Sequence, residues 1–298
     1  MKVFITGGCG SIGRALLSHY YNSFSYIEAT VFSRDEYKHA LIKKAFPEVN
    51  SIIGDIRDFD KLKDAMRGHD TVVHAAALKR IEICETNVLE AVQTNVVGTS
   101  NVVRAARENE IGRLVSLSTD KAVDPINIYG MTKKMQEEIV LNAGYNCTRY
   151  GNIFGSRGSV VEIFHSQAQA GKPLTVTNPD MTRFILDYNQ GIKLISKALE
   201  CPIGATIIAA KSKAASVGDI AKAFSDDYIS IPEARAEKKH ECLVSKEETS
   251  KIWGETDSFY MIGQKKVCTE TVDYTSDIVP RMTIDEIKQY IEKWKGEK

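Results

Sequence analysis

A glycine-rich loop directly follows the first apolar run of this chain and limits the folds available to it. The chain begins MKVFIT and continues GGCGSIG, which places glycines at Gly7, Gly8, Gly10 and Gly13. A segment whose apolar residues have helical spacing begins at Ser11. A strand, a tight loop and a helix in this order are typical of the first unit of a parallel sheet whose strands alternate with helices.

The rest of the chain continues this alternation. Strands are predicted at 2–6, 28–32, 49–53, 71–75, 113–118, 145–150 and 204–210. Helix-length amphipathic segments separate most of them, and right-handed crossovers then give a parallel sheet. The fold class is therefore α/β, a Rossmann-type doubly wound parallel sheet with a smaller C-terminal substrate-binding lobe.

Composition excludes several classes of function. The 298 residues include 39 basic and 39 acidic side chains, so no net charge attracts nucleic acid or an anionic membrane. The six cysteines are scattered without a CxxC pair, which argues against a disulfide framework or a metal site. No signal peptide or membrane-length apolar window is apparent. We expect a cytoplasmic protein without a metal, a nucleic-acid partner or membrane contact.

The glycine loop has the spacing that a dinucleotide requires. Gly7 permits a tight turn, Gly10 lets the backbone approach a pyrophosphate, and Gly13 lets the helix pack closely on the strand. The first helical N–H groups, near Ser11 and Ile12, then face the anion together with the helix dipole. We predict a dinucleotide-binding domain over 1–165 with a returning segment near 190–212, and a substrate lobe made of 166–189 and 213–298.

The end of the second strand favours NADP over NAD. An acidic residue at this point would bind a ribose 2′-hydroxyl and repel a 2′-phosphate. Ser33, Arg34 and, one turn later, Lys38 offer a hydroxyl and two cations instead. Asp35 and Glu36 follow and weaken this preference, so NAD remains the alternative cofactor.

The GGxGxxG spacing is similar to that of the short-chain dehydrogenase/reductase superfamily. Its members place an acidic residue beside adenine at the end of the third strand, which implies this role for Asp55 and Ile56. Small residues at the end of the fourth strand let the backbone meet a cofactor, and the candidates there are Ala75, Ala76, Ala77 and Lys79. His74 is interpreted as a packed strand residue rather than a catalyst.

Two short stretches carry the catalytic signal. Tyr129 and Lys133 stand four residues apart at the start of a predicted helix, so they share a face and are expected to contact the cofactor. A neighbouring ammonium lowers the pKa of a phenol, which can then take a proton from a sugar hydroxyl. Thr119, Asp120 and Lys121 follow the fifth strand, at the edge where open parallel sheets bind ligands. An adjacent acid and base there indicates a second proton transfer.

The segments STDKAVDPINIYGMTKKMQEE, RYGNIFGSRGSVV and MTRF closely resemble those of the C5-inverting UDP-N-acetylglucosamine 4,6-dehydratases. These are extended short-chain dehydrogenase/reductases of surface-glycan biosynthesis. The resemblance implies that Tyr129 and Lys133 support hydride transfer from sugar C4 to NADP+, with Thr119 near O4. Lys121 would remove the C5 proton, and Asp120 would help expel the C6 hydroxyl as water before the hydride returns to C6.

The same resemblance implies which residues contact the UDP-sugar: Lys79, Asn152, Arg157, Ser159, Val160, Arg183 and Glu237. One stretch departs from the pattern. Where that group carries Arg-Pro-Gly-Glu-Lys-x-His-Glu, residues 234–241 read ARAEKKHE, with Ala234 at the position of the arginine. The sugar nucleotide and the C5 stereochemistry therefore stay open. A homo-oligomer formed through helices near 83–108 and 127–142 is also expected by resemblance.

Two other interpretations remain. An NAD(P)-dependent nucleotide-sugar 4-epimerase would share the cofactor fold and the Tyr129–Lys133 pair. Epimerases of this superfamily resemble one another in having small neutral residues where Asp120 and Lys121 stand, so this dipeptide distinguishes the two activities. A non-catalytic NADP-binding sensor or scaffold is the third interpretation, and the presence of Tyr129 argues against it.

Overall fold

The computed structural model describes residues 1–23, 27–202, 204–232, 236–266 and 273–296. The strands are β1 Lys2–Thr6, β2 Glu28–Ser33, β3 Asn50–Ile53, β4 Thr71–His74, β5 Arg113–Leu117, β6 Asn146–Arg149, β7 Asn152–Ile153, β8 Leu174–Val176, β9 Thr182–Leu186, β10 Ile207–Ala210, β11 Ala214–Ser216, β12 Tyr228–Ser230, β13 Cys242–Val244, β14 Ile252–Glu255, β15 Phe259–Ile262 and β16 Tyr274–Thr275. The helices are α1 Ser11–Ser23, α2 Glu36–Ala45, α3 Phe59–Met66, α4 Ile81–Thr86, α5 Val88–Val92, α6 Gly98–Glu108, α7 Ile128–Asn142, α8 Val160–Gln169, α9 Tyr188–Glu200, α10 Val217–Lys222, α11 Lys246–Thr249 and α12 Ile284–Gly296.

A nine-stranded sheet forms the centre of the molecule, in the order β14-β15-β10-β6-β5-β4-β1-β2-β3. The strands from β3 to β10 are all parallel, and β1 pairs with both β2 and β4, so Thr6 lies opposite Phe32 on one side and His74 on the other. The winding of the chain reverses between β1 and β4, which opens a crevice at the carboxyl ends of these strands. The predicted Rossmann-type fold is confirmed.

The strands predicted over the first 150 residues and at 204–210 are all present. Two features differ from the sequence prediction. One of the helix-length segments between the predicted strands, residues 87–110, is not a single helix, because a π-helical turn, Gln93–Val97, separates α5 from α6. In addition, β15 and β14 extend the central sheet in antiparallel fashion beyond β10, although they lie within the segment assigned to the C-terminal lobe. The predicted division into domains remains a prediction.

Buried apolar side chains cover both faces of the central sheet. One cluster includes Phe4, Phe32 and Leu62, and the cluster on the opposite face includes Leu16 and Ile195. A third cluster lies under α8, α10 and α12 and forms the core of the smaller lobe. No helix in the described ranges is both long enough and apolar enough to cross a membrane.

Exposed apolar side chains lie on the helices for which an oligomer contact is expected. These side chains are Ile83, Val88, Leu89, Val97, Met131 and Met135, and Leu89 is 80% exposed. A second copy of the chain would remove them from water, which is favourable in proportion to the apolar area buried. The homo-oligomer itself stays a prediction.

A buried ion-pair triad fixes α7 against the sheet and against the C-terminal segment. The Arg149 guanidinium, on β6, donates to both carboxylate oxygens of Glu137 on α7, at 3.0 and 2.7 Å. It also contacts both oxygens of Glu248 on α11, at 2.7 and 3.0 Å. Arg149 and Glu137 have no exposed side-chain surface. Because a buried charge needs its partner, this triad constrains the helix that carries Tyr129 and Lys133.

We expect Glu137→Gln to destabilise the protein by about 3 kcal/mol, because it leaves part of the buried Arg149 charge uncompensated. Glu138→Gln is the matched control, since Glu138 is exposed and pairs with the side chain of Lys134 at 3.1 Å. That control should cost less than about 1 kcal/mol. Urea unfolding followed by circular dichroism measures both variants. Equal losses of stability would show that the triad does not anchor α7.

Candidate active site

The glycine loop closes one side of the crevice, and its geometry excludes side chains at several positions. Gly7 has φ +67°, and a Cβ there would lie 2.7 Å from the backbone nitrogen of Ala76. A Cβ on Gly13 would lie 2.2 Å from the carbonyl oxygen of Gly8. Gly10 is different, since its Cβ would meet only the carbonyl oxygen of Gly7, at 3.1 Å. The loop therefore lies against the end of β4, and α1 begins next to it at Ser11, the arrangement that suits a pyrophosphate.

At the end of β2, Ser33 is held by His39, a residue outside the sequence motifs. The Nε2 atom of His39 lies 2.9 Å from the Ser33 hydroxyl and 3.0 Å from the Ser33 carbonyl oxygen. Because a carbonyl only accepts, Nε2 carries the proton, and Nδ1 accepts from the hydroxyl of Ser51. His39 is buried on α2 and thereby orients Ser33 at the edge of the crevice. Helical periodicity predicted the helix but not this contact.

The two cations proposed for a 2′-phosphate both face carboxylates. Arg34 Nη1 lies 3.6 Å from the carboxylate of Asp55 and 3.8 Å from that of Glu90. Lys38 is ion-paired with Asp35, which also caps α2 by accepting from the Lys38 backbone N–H at 3.1 Å. These carboxylates offset the positive charge, so the electrostatics of this end of the crevice do not by themselves favour NADP over NAD.

At the end of β3, the two side chains predicted to contact a nucleotide are largely engaged in contacts within the protein. Asp55 accepts hydrogen bonds from the Arg57 guanidinium at 2.9 and 2.6 Å. Burial raises the pKa of Asp55, but the bonds from Arg57 outweigh it and hold that pKa below its usual value. The side chain of Ile56 packs in the core against Gly98 on α6. Of this residue, only the backbone is available to a nucleotide.

The segment after β4 is held by an asparagine in the π-helical turn. Asn95 Oδ1 accepts from the Leu78 N–H at 2.8 Å, and its Nδ2 donates to the Leu78 carbonyl oxygen at 2.9 Å. The same Nδ2 donates to Thr132 on α7 at 3.0 Å. The extended segment that contains Ala75, Ala76, Ala77 and Lys79 is thus tied to α7. Buried His74 bonds Thr6 and Thr99, and burial lowers its pKa to about 3.

Four charged side chains meet just beyond the end of β5. Lys121 Nζ lies 3.1 Å from Asp120 Oδ1 and 3.2 Å from Glu241 Oε1. The Thr119 hydroxyl donates to the same Asp120 oxygen at 2.9 Å, and Arg183 Nε lies 3.9 Å from Glu241. Asp120 has no exposed surface and Glu241 only 2%. Asp120 Oδ2 and Glu241 Oε2 are buried without a hydrogen-bond partner in the part of the chain that the structure describes.

The contacts within this cluster shift the pKa values of its members in different directions. Burial raises the pKa of Asp120 despite the neighbouring Lys121 ammonium, which is the direction that a protonated aspartate requires. Burial alone would lower the pKa of Lys121, but Asp120 and Glu241 outweigh it and raise that pKa above its usual value. The pKa of Glu241 is lowered, since Lys121 and Arg183 offset its burial. This direction favours the ammonium form of Lys121, whereas removal of the C5 proton, the role that the resemblance implies, requires the uncharged amine.

Tyr129 and Lys133 lie on one face of α7, as their spacing predicted. The pKa of Tyr129 is raised, however, and not lowered by the Lys133 ammonium as expected. Lys133 Nζ donates to the Leu117 carbonyl oxygen at 2.5 Å and to Gln136 Oε1 at 2.6 Å. Burial raises the pKa of Tyr129 above its usual value, an effect that the Thr119 side chain only partly offsets. Burial also lowers the pKa of Lys133 to about 8. A lowered phenol pKa would need the Lys133 ammonium to turn toward Tyr129.

Residues 236–241 of the C-terminal lobe cover this cluster. Asn127 Nδ2, at the start of α7, donates to the Ala236 carbonyl oxygen at 3.0 Å, and Lys238 Nζ donates to the Val123 carbonyl oxygen at 2.5 Å. Ala236 has φ +65°, a conformation that glycine adopts more easily. The segment therefore closes over residues 120–127 and brings Glu241 to Lys121.

The predicted substrate residues fall into two groups. Arg183 lies at the charged cluster, and its Nη2 is 4.0 Å from Glu237. The others follow the path from β7 to the start of α8, and they are Asn152, Arg157, Ser159 and Val160. This path lies beside α1, because the Arg157 N–H donates to the hydroxyl of Ser11 at 3.3 Å and Lys79 donates to the Arg157 carbonyl oxygen at 3.0 Å.

Two further observations concern these groups. The hydroxyl of Ser159 is buried and has no hydrogen-bond partner among the described residues, so it is available to a ligand that enters the crevice. Ala234, which replaces the arginine of the resembling group, lies outside the described residues. Its effect on the choice of nucleotide or sugar stays a prediction.

Comparison with known proteins agrees with this arrangement. The sequence profile of the polysaccharide biosynthesis protein family matches residues 3–262. The chain belongs to this family. It is also an extended short-chain dehydrogenase/reductase by fold and sequence. A UDP-glucose 4-epimerase of Rickettsia massiliae is 37% identical to this family member over 97% of the chain and 94% of the relative's length. A UDP-glucose 4-epimerase of Rickettsia canadensis is 36% identical over the same shares of both chains.

Two solved structures of similar fold align with nearly all residues of this family member. The X-ray structure of Pen from Bacillus thuringiensis superposes with a TM-score of 0.92 at 30% identity, covering 98% of this chain and 97% of Pen. DesIV, a dTDP-glucose 4,6-dehydratase from Streptomyces venezuelae with NAD bound, has a TM-score of 0.77 at 18% identity, covering 100% of this chain and 97% of DesIV. The second likeness shows the fold alone.

The buried Lys133 predicts a measurable pH dependence of stability. Its pKa is about 8 when folded and 10.5 in a free side chain, so the unfolded chain binds more protons between these two values. The unfolding free energy of the wild type relative to Lys133→Met should therefore rise by about 3 kcal/mol from pH 8 to 10.5. Urea titrations at several pH values measure this. Lys134→Met, on the outer side of the same helix, is the control. If the unfolding free energies of the wild type and of Lys133→Met changed in parallel with pH, burial would not lower the pKa of Lys133.

Proposed function

We propose that this chain is a nucleotide-sugar 4,6-dehydratase that uses a nicotinamide cofactor and acts on UDP-N-acetylglucosamine with inversion at C5. The observation that carries this proposal is the ion pair between buried Asp120 and partly buried Lys121, placed beside Tyr129 at the carboxyl edge of the sheet. Oxidation at C4 alone needs one proton acceptor. Loss of water across C5 and C6 needs a base for C5 and an acid for O6, and the cluster contains both kinds of group.

Tyr129 is the group we assign to the sugar O4 proton. Its phenol, on α7, lies next to Thr119 and is partly buried, which limits the access of water to that proton. Because the pKa of Tyr129 is raised, an ammonium must approach before the phenol ionises, and Lys133 lies on the same helix face. Thr119 would hydrogen-bond the O4 region, since it lies next to Tyr129.

Asp120 and Lys121 are the groups we assign to dehydration. Burial raises the pKa of Asp120, which favours the protonated form that can donate a proton to the departing O6 hydroxyl. Lys121 would take the C5 proton, whose acidity increases once C4 is a ketone. Arg183 and Glu237 lie on the lobe side of the cluster and are proposed contacts of the nucleotide sugar.

The cradle that Gly7, Gly13 and the first turn of α1 form fits a dinucleotide, because Cβ atoms at Gly7 and Gly13 would clash with neighbouring backbone. When bound, a nicotinamide ring supplies a hydride acceptor at C4 and a hydride donor at C6. Ser33, Arg34 and Lys38 would contact the ribose and decide between NADP and NAD. The preference for NADP stays a prediction, and the related structure of DesIV was determined with NAD.

A nucleotide-sugar 4-epimerase is the second candidate, and the names of the Rickettsia relatives favour it. An epimerase moves hydride from and to C4 and removes no proton at C5. The buried acid and base beside Tyr129 would then have no part in the reaction, although burying them is costly. For this reason the dehydratase is preferred.

Incubation of the purified protein with UDP-N-acetylglucosamine and NADP+ or NAD+ in D2O tests the proposal. We expect a product lighter by one water, identified by mass spectrometry, with deuterium at C5 by NMR and no net reduced cofactor. Lys121→Met should lower product formation by about 10²-fold or more, as removal of a general base does. UDP-glucose is the parallel substrate. A product of unchanged mass epimerised at C4 would establish the second candidate, and no turnover would refute both.

Gly10→Ala separates cofactor binding from folding. Its Cβ would make one close contact inside the loop, so the unfolding free energy should fall by less than about 1 kcal/mol, yet the methyl group would obstruct the approach of a pyrophosphate. Isothermal titration calorimetry with NADP+ and NAD+ should show binding weakened at least about 10-fold. Gly112→Ala is the control, because its Cβ would meet nothing within 4 Å. Unchanged binding in Gly10→Ala would place the dinucleotide elsewhere.

A further inference from the structure

Glu241 is a buried carboxylate next to a reacting group, and the mechanism above leaves it without a role. It precedes β13, far along the chain from β5, yet its Oε1 lies 3.2 Å from Lys121 Nζ. The side chain is 2% exposed, and Oε2 has no hydrogen-bond partner within the described ranges. A buried carboxylate oxygen without a partner is costly, so a proton or ligand donor at that atom would stabilise it.

The charged groups around Lys121 indicate which of them can accept its proton. Lys121 meets Asp120 from its own turn, Glu241 from the C-terminal segment and the positive field of Arg183 from β9. Glu241 in turn meets Lys121, Arg183 and Lys238. Burial raises the pKa of Asp120, and Asp120 is already assigned the proton for O6. The pKa of Glu241 is lowered despite its burial, because Lys121 and Arg183 favour the carboxylate, so Glu241 is the group left to take a proton from Lys121.

We propose that Glu241 accepts the ammonium proton of Lys121 when a nucleotide sugar covers the cluster, and so converts Lys121 into the base for C5. One N–H bond of Lys121 breaks and one O–H bond of Glu241 forms, which leaves an amine and a carboxylic acid. Once the sugar excludes water, two neutral groups cost less than two buried charges. Lys121 then takes the C5 proton, and exchange with water between turnovers restores the Glu241 carboxylate.

This inference rests on the dehydratase proposal, but one part of its test needs no substrate. The NMR titration of the Lys121 ε-carbon, in protein with labelled lysine, reports its proton directly. Glu241→Gln should move that titration to lower pH by about one unit or more, because an opposite charge in contact is lost. Glu247→Gln, which removes an exposed carboxylate from α11, should leave it unchanged. An unmoved titration in Glu241→Gln overturns the inference, whatever the protein catalyses.

The second measurement follows the reaction. Glu241→Gln should slow deuterium entry at C5 by about 10²-fold at neutral pH. Absorbance of reduced cofactor at the C4 ketone stage should rise, because oxidation at C4 needs no proton from Lys121. The C5 step should recover as the pH rises, since solvent can then deprotonate Lys121. Glu241→Asp keeps the charge and should retain part of the rate, which guards against a folding defect in the glutamine variant.

The outcomes separate the two proposals. If Glu241→Gln slows oxidation at C4 and deuterium entry at C5 equally at every pH, Glu241 only supports the structure, and the inference fails while the dehydratase stands. If the unmutated protein forms no dehydrated product, the dehydratase proposal and the proton-accepting step fail together. The titration of Lys121 still decides whether Glu241 sets its charge.

Discussion

The contact between Lys121 and two buried carboxylates is the interaction on which the candidate site depends. Asp120 comes from the same turn, whereas Glu241 is delivered by a segment of the C-terminal lobe. Asp120 and Glu241 outweigh the effect of burial on the pKa of Lys121, and without Lys121 each of these two buried carboxyl groups would lose an ion-pair partner. The cluster therefore couples the proton chemistry at the edge of the sheet to the position of the smaller lobe.

The rest of the scaffold holds the two sides of this contact in place. The Arg149–Glu137–Glu248 triad joins β6, α7 and α11, and so fixes the helix with Tyr129 to the segment that follows Glu241. Residue Asn95, in the π-helical turn, ties the end of β4 to the same helix. Buried polar groups that satisfy one another specify a single arrangement, because any other leaves them unpaired. These contacts thus position α7, the crevice and the segment after Glu241 together.

Several parts of the site followed from the sequence because they are local. The glycine positions follow from the tight passage between β1 and α1, and the shared face of Tyr129 and Lys133 follows from helical spacing. The Asp120–Lys121 dipeptide is adjacent in the chain and needs only the strand before it to reach the edge of the sheet. The charge state of Lys121 was not predictable in this way. It depends on Glu241, whose distance from Lys121 no spacing rule can give.

The sequence by itself determined the Rossmann-type sheet, the dinucleotide cradle and the residue types of the acid–base cluster, because strand, helix and loop patterns are encoded over short stretches. Only the tertiary structure decided which charges meet. It placed Glu241 on Lys121, His39 on Ser33, and carboxylates beside Arg34 and Lys38. These contacts join residues from separate elements, and the protonation of a buried group depends on everything packed around it.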